Sequence, residues 1–346
     1  TKIGQKATLA GRVYALRKLG GVNFLILQDQ KGLAQVVFAK AELSSGKKIA
    51  EPKIGACVKI TGLAREEKRA PGGVEIQGEK LEIISQPAQE LPFDLSKKEL
   101  NINLTTLLNH RPISLRHERI KAIFKIQEQV IESFRKILKD LGFTEFQAPM
   151  IVPSNAEGGA EVFHIDYYKN DAYLAQSPQL YKQILVGIFE RVFTITHVFR
   201  AEPSITTRHL SEYISLDAEM GFIDSWEDLM DTCENLIRNI FSDLQNNCGK
   251  ELKIHQATLP KMSEKFPRLK MREAQEIIFQ RTGRDNRKEI DLEPEDEKEI
   301  CKFAKEKYGS ELIFITHYPT RKRPFYTFAD PKDPEYTLSF DLLCRG

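Results

Sequence analysis

The chain has 346 residues, 41% of them apolar and 29% charged, with a formal net charge of +2. That balance is the composition of a folded, soluble protein of two or three domains rather than a disordered or fibrous one. No apolar run is long enough to span a bilayer, no signal-peptide pattern opens the chain, and the five scattered cysteines form no C-x-x-C, so a membrane span, a disulfide framework and a zinc site are not expected and a cytoplasmic setting is.

Residues 7–16, 23–28, 34–39, 57–64 and 74–85 read as short strands, with a Leu19-Gly20-Gly21 turn after the first and a Pro71-Gly72-Gly73 turn before the last. Five strands with a polar insert after the third predict a small Greek-key barrel of the OB type. Residues 1–100 hold 17 Lys and Arg against 11 Asp and Glu, and the other 246 hold 34 against 38. A basic first domain on a near-neutral body suits contact with nucleic acid. Phe24, on the second strand, can stack on an unpaired base if it faces outward, and Gln35 and Glu75 can read base edges. The alternative for Phe24 is a place in the core.

Residues 86–110, with Pro87 and Pro92, read as a polar linker. A helix is expected over 119–141, where Ile120, Phe124, Ile131, Phe134, Leu138 and Leu141 form an apolar stripe that Gly142 ends. A strand is expected over 143–152, through Pro149, which an edge or bulge tolerates. On spacing alone this pair is a core helix with an edge strand.

Three stretches then carry chemistry. In 154–163 the adjacent Gly158 and Gly159 predict a mobile segment with Glu157 at its edge, or else a glycine turn with a solvated glutamate. In 174–183 a helix starting at Pro178 would put Gln179 and Lys182 on one face, where an enclosed lysine can hold a carboxylate. In 198–220, VFRAEPSITTRHLSEYISLDAEM, a hairpin is expected. Arg200 and Glu202 follow its first strand, Arg208 and His209 occupy the loop, and Glu212, Tyr213, Asp217 and Glu219 lie on the second strand. Cations meet phosphates and carboxylates meet an ammonium, so such a face can hold a polyphosphate and an amino group together. Beyond it, a helix over 226–247 has Ser225 as candidate cap, 256–310 is charged and mostly helical, and 311–346 returns to strands.

The 198–220 stretch closely resembles motif 2 of class II aminoacyl-tRNA synthetases, in the form found in aspartyl-tRNA synthetases of the archaeal and eukaryotic type. The helix and proline-bearing strand at 119–152 resemble motif 1, which forms the dimer interface in that class. The stretch 154–163 looks like the flipping loop that closes over the bound amino acid, and 174–183 matches the aspartyl enzymes where asparaginyl and lysyl enzymes usually differ. The resemblance covers nearly the whole chain and implies an α+β protein: an OB-fold anticodon-binding domain over 1–85, a hinge over 86–110 and a class II catalytic domain over 111–346, built on an antiparallel sheet flanked by helices.

It also implies an activity and roles. The expected enzyme is an aspartate–tRNA ligase, homodimeric, which uses ATP and Mg²⁺ to activate L-aspartate and charges tRNA(Asp), with tRNA(Asn) as a second substrate. Phe24, Gln35 and Glu75 fall where aspartyl enzymes grip the anticodon. Glu157, Gln179, Lys182 and Asp217 fall at the amino acid, with Lys182 toward the side-chain carboxylate and Asp217 toward the α-amino group. Arg200 falls at the α-phosphate with Glu202 nearby, Arg208 and His209 at the terminal phosphates, Tyr213 at the adenine, and Asp341 at the magnesium. The final run, Ser339 to Gly346, leads in the family into a glutamate, a Gly-Gln-Arg segment and motif 3, so most of a synthetase, clipped at both ends and by itself inactive, is expected. Pro71 is a residue type that goes with relaxed tRNA choice, and Tyr14 fits neither usual pattern. Three alternatives stay open: an asparaginyl-tRNA synthetase, disfavoured by Lys182 and the Glu157-Gly158-Gly159 loop; a paralogue that makes adenylate but charges no tRNA; and an OB-type RNA-binding module on a degenerate core.

Overall fold

The structure, a computed structural model, describes residues 3–20, 22–39, 51–154, 162–202 and 210–346. It divides into two compact units, Thr1–Ile123 and Phe124–Gly346.

In the first unit, strands β1 (Lys6–Leu19), β2 (Val22–Gln28), β3 (Leu33–Ala39), β4 (Cys57–Glu66) and β5 (Val74–Ser85) close a barrel in the order β1-β2-β3-β5-β4. Period-2 alternation explains it. Leu25, Leu27, Val36, Phe38, Val58, Ile60 and Ile76 point inward and form one apolar core. Closure comes from two non-local pairings: β1 runs antiparallel to β4 with Lys6 opposite Leu63, and β3 runs parallel to β5 with Gln35 opposite Glu75. Where β4 crosses β5, Gly62 lies opposite Gly78. A Cβ on Gly78 would stand 2.3 Å from the Phe38 ring, so only glycine admits that close approach.

Residues 86–110 are more than a polar tether. Leu95 is buried against Tyr14 and Ala15, with Leu91 and Phe93 beside them, and the Tyr14 hydroxyl donates to the Leu95 carbonyl. Short helices α1 (Leu104–Asn109) and α2 (Arg111–Ser114) follow, the first capped by Asn103, whose side chain accepts from the Thr106 N–H at 2.8 Å.

Helix α3 (Glu118–Asp140) buries Phe134 and Leu138 of the expected stripe, with Leu141 beside them, whereas Phe124 is exposed and Ile126, Val130 and Ile137 complete the packed face in place of Ile120, Phe124 and Ile131; the helix stops where Gly142 takes a φ of +81°. The strand expected over 143–152 is instead two short ones, β6 (Thr144–Glu145) and β7 (Ile151–Val152). Pro149 lies in the break, where its missing N–H can serve no ladder. In the second unit, β6 pairs with β10 (Arg191–Phe199), which pairs with β11 (Glu212–Met220), while β7 joins the small sheet of β8 (His164–Tyr167) and β9 (Asn170–Leu174). Helix α4 (Gln179–Phe189) links β9 to β10. Phe134, Leu138 and Phe143 pack with Phe193, Ile240 and Leu244. The last two belong to α5 (Glu227–Asn247), whose cap position is Trp226 and not Ser225; the Ser225 hydroxyl still accepts from the Glu227 N–H at 3.2 Å.

After α6 (Gly249–His255), strand β12 (Arg268–Lys270), helices α7 (Met271–Thr282) and α8 (Pro294–Tyr308), strand β13 (Leu312–Thr316), the pair β14 (Ala329–Asp330) and β15 (Asp333–Thr337), and β16 (Phe340–Cys344) complete the unit. The sheet β12-β13-β16 packs one face on α7 and α8 through Ile313 and Ile315, and the other on Met230 and Phe266 through Leu312 and Phe314. Among the described residues no helix is long and apolar enough to cross a membrane.

Candidate functional site

In the second unit the site is built from the start of α4 and the face of β11. Pro178 precedes the helix, and the Ser177 hydroxyl accepts from the Gln179 N–H at 3.1 Å. This fixes the first turn and places Gln179 and Lys182 on one buried face. On β11, alternation puts Tyr213, Ser215, Asp217 and Glu219 on one side, while Leu216 and Met220 join the core on the other. The two elements meet at Lys182, whose Nζ is 2.5 Å from Asp217 Oδ1 and 3.5 Å from Glu219 Oε2. Ser215 Oγ donates to Asp217 Oδ2 at 3.4 Å. Burial pushes the Glu219 carboxyl above its usual range; Lys182 opposes that shift and Asp217 adds to it. One lysine thus serves two carboxylates, leaving net negative charge beside a fixed cation: a complement to a zwitterion with a second carboxylate.

The hairpin expected over 198–220 is present, with Val198 opposite Tyr213 and Phe199 opposite Glu212. The Arg200 N–H donates to Ser211 O, and its guanidinium carbon lies 5.7 Å from the centroid of the Tyr213 ring. Arg200 Nε is buried and, among the described residues, has no hydrogen-bond partner. Glu202 follows, half-buried. Glu157, Arg208 and His209 lie outside the described residues.

A cleft of about 840 Å³ opens at this point, lined by Gln179, Lys182 and Glu219 on one side and by Trp226, Phe328 and Ser339 on another. The sequence put Glu219 among the carboxylates of the hairpin face without giving it a role, and it did not single out Trp226 or Phe328. Glu219 was within reach, because it stands two residues after Asp217 on a strand. Trp226 and Phe328 were not, because no local pattern ties either to Lys182.

Asp341 lies on β16, opposite Ile315, with Arg323 Nη2 2.9 Å from its Oδ2. Among the described residues no group of three or more His, Cys, Asp or Glu side chains could hold a metal ion. Mg²⁺ in nucleotide sites is held by one or two carboxylates together with phosphates, and the donor set here, one carboxylate, fits that shared mode and not an all-protein cage.

In the first unit, Gln35 Nε2 donates to Glu75 Oε2 at 2.9 Å across the parallel β3–β5 pair. Phe24 stands opposite Val37, and Ile26 opposite Gln35, so Phe24 and Gln35 share the outer face of the barrel. Phe24 is half-buried while its neighbour Leu25 is in the core, which removes the core reading of that ring. Arg17 is its partner on β1.

The likenesses to known proteins agree with both halves. Residues 103–346 match the family model of class II tRNA synthetases (D, K and N), and residues 7–84 match that of the OB-fold nucleic acid binding domain. The chain is 41% identical over 344 residues to the aspartate–tRNA(Asp/Asn) ligase of Thermus thermophilus, covering 99% of this chain and 79% of that one. It is 39% identical to the aspartate–tRNA(Asp) ligase of Pyrococcus abyssi, covering 99% and 78%. Among solved structures, asparaginyl-tRNA synthetase from Pyrococcus horikoshii complexed with asparaginyl-adenylate is similar at a TM-score of 0.87 and 30% identity, over 99% of this chain and 78% of that one. With an OB barrel before a motif 2 hairpin, and a family match over most of its length, the chain belongs to the class II aminoacyl-tRNA synthetases of the D, K and N group.

Proposed function

We propose that the chain is an aspartate–tRNA ligase: it joins L-aspartate to ATP as aspartyl-adenylate and passes the aspartyl group to the 3′ end of tRNA(Asp). The observation that carries this is Lys182, buried and set against Asp217 and Glu219 at the mouth of α4. Aspartate brings a side-chain carboxylate for Lys182 and an ammonium for Asp217. The neutral amide of asparagine would leave the lysine no second anion. Gln179, on the same helical face, suits the main-chain end of the amino acid.

In the first step an oxygen of the aspartate α-carboxylate attacks the α-phosphorus of ATP and pyrophosphate leaves. Arg200 faces the α-phosphate and offsets the charge that builds on its oxygens; Glu202 lies beside it, Tyr213 stacks on the adenine, and Arg208 and His209 take the terminal phosphates. In the second step a hydroxyl of the terminal ribose attacks the adenylate carbonyl and AMP leaves. No side chain acts as a nucleophile, so the chain's contribution is alignment and fixed charge. Asp341 would hold Mg²⁺ together with the nucleotide phosphates, and the ion supplies neutralisation of their charge. Glu157 belongs to the segment that covers the amino acid.

Residues 1–85 serve as the anticodon-binding domain, 86–110 as hinge and 111–346 as catalytic domain. Phe24 stacks on a central anticodon base, with Gln35 and Glu75 on base edges. The enzyme works as a cytoplasmic homodimer through the 119–152 segment, and it takes tRNA(Asn) as well as tRNA(Asp). The test of the core reading is ATP–pyrophosphate exchange by the full-length protein with each amino acid. Exchange with aspartate and not asparagine is expected; preferential activation of asparagine would overturn the assignment in favour of the asparaginyl alternative.

A further inference from the structure

The wall of the cleft that contains Tyr326, Thr327 and Phe328 has no place in the roles above. It is a loop with little packing of its own, since both Phe325 and Phe328 turn large aromatic surfaces outward. Its far end is tied by the Leu338 N–H donating to Phe328 O at 2.9 Å. Its near end begins at Arg323, directly after the short helical turn Thr320–Lys322. The Arg323 guanidinium carbon lies over the Tyr318 ring, 3.9 Å from its centroid, and the guanidinium pairs with Asp341 on β16. The 2.9 Å approach of Nη2 to Asp341 is an ion pair by distance without hydrogen-bond alignment, and Nε has no partner among the described residues. Charge and stacking therefore do the holding. Tyr318 is itself buried, and burial first, then the charge of Asp341, push its hydroxyl above the usual phenol range, so it stays protonated beside that carboxylate.

We propose that Arg323 is a positioning residue for amino-acid binding: by clasping Asp341 and Tyr318 it fixes the 324–328 wall opposite Lys182, so that the cleft closes on aspartate at the right width. The proposal rests on the reading of this cleft as the aspartate pocket. Removing the clasp leaves Lys182, Asp217 and Arg200 in place but frees the wall, so amino-acid affinity falls while affinity for metal-free ATP does not.

Trp226 is the one tryptophan in the sequence and lines the same cleft, so its fluorescence reports binding directly. The experiment titrates the full-length protein with L-aspartate, and separately with metal-free ATP, in wild type and in Arg323→Met, Arg323→Lys and Tyr318→Phe. Arg323→Met should raise the Kd for aspartate about 10-fold, the loss of roughly one charge-assisted contact, and leave that for ATP within about 2-fold. Arg323→Lys keeps the charge but not the guanidinium over the ring and should recover part of the loss. Tyr318→Phe, which keeps the ring and removes only the hydroxyl, should cost about 3-fold and carries the test if Arg323→Met does not fold. Unchanged aspartate affinity in both Arg323→Met and Tyr318→Phe would overturn the proposal, as would equal losses for both ligands. A wild type that binds ATP but not aspartate would instead overturn the reading of the pocket.

Discussion

At the scale of the residue, the pairing of Lys182 with two carboxylates sets the expected behaviour of its variants. Lys182→Met removes the cation but leaves Asp217 for the ammonium. It should weaken aspartate binding by about 1.5–3 kcal/mol, roughly 10- to 150-fold, with a far smaller effect on ATP. Equilibrium titration of each substrate reads the two apart, and equal losses would assign Lys182 to the structure of the site and not to its specificity. Spacing put Gln179 and Lys182 on one helical face and alternation put Asp217 on the hairpin, while the roles given to 179, 182, 200 and 217 came from the family resemblance. Their contacts were less legible. Lys182 and Asp217 are 35 positions apart in sequence, and no local period joins an α4 side chain to a β11 carboxylate. The Arg323–Asp341 pair was invisible for the same reason, and because an aspartate marked out for a metal does not advertise a guanidinium neighbour.

At the scale of the element, what folded as read was what a single period dictates. The barrel strands alternate, the motif 2 hairpin alternates, and α3 carries the second half of its stripe, while its first half turns Phe124 outward because Ile126 and Val130 face the core instead. The segment 143–152 failed because an apolar run with a proline has no ladder through its middle, and α1 and α2 were missed because six- and four-residue helices show no period to detect. The barrel yields the next prediction. With Phe24 on the outer face beside Gln35, Phe24→Ala should raise the KM for tRNA(Asp) by an amount equivalent to about 1–3 kcal/mol of base stacking, with aspartyl-adenylate formation unchanged. A fall in pyrophosphate exchange in that variant would show that the ring supports the fold.

The last strands yield another. Glu311, at the entrance to β13, accepts from Lys305 Nζ at 2.8 Å, from the Lys261 N–H at 2.9 Å and from Arg345 Nη2 at 2.9 Å. Lys305 first, then the backbone N–H and Arg345, hold its carboxyl down to about 2. The folded value lies below the unfolded one of 4.5, so the contribution is complete above that pH and disappears as pH falls from 4.5 to about 2. Melting curves across this window should show a steeper loss of Tm in wild type than in Glu311→Gln; parallel curves would mean that the three contacts carry no linked stability.

At the scale of the whole molecule, the question is which tRNAs the two units together accept. Pro71 opens the turn before β5, where Gly72 and Gly73 take φ values of +72° and +73°, and that turn leads directly into the strand that carries Glu75. tRNA(Asp) and tRNA(Asn) differ in the last anticodon base, and a turn that leaves this base unread admits both. Aminoacylation with each purified tRNA, at matched salt because phosphate contacts are salt-dependent, should give comparable efficiencies. A preference for tRNA(Asp) of several hundredfold would sink the relaxed reading and leave the ligase assignment standing.

The closed barrel has a consequence for how the protein is made. Its closing contacts, β1 on β4 and β3 beside β5, join residues tens of positions apart, a topology that folds in roughly milliseconds to seconds. All five strands are nonetheless complete by Ser85. At a ribosomal pace of about 5–20 residues per second, the rest of the chain takes roughly ten seconds or more to appear. The nucleic-acid-binding barrel can therefore finish folding and hide every strand edge while the strands of the catalytic unit are still being synthesised, which separates in time two sets of β-strands that could otherwise pair with each other.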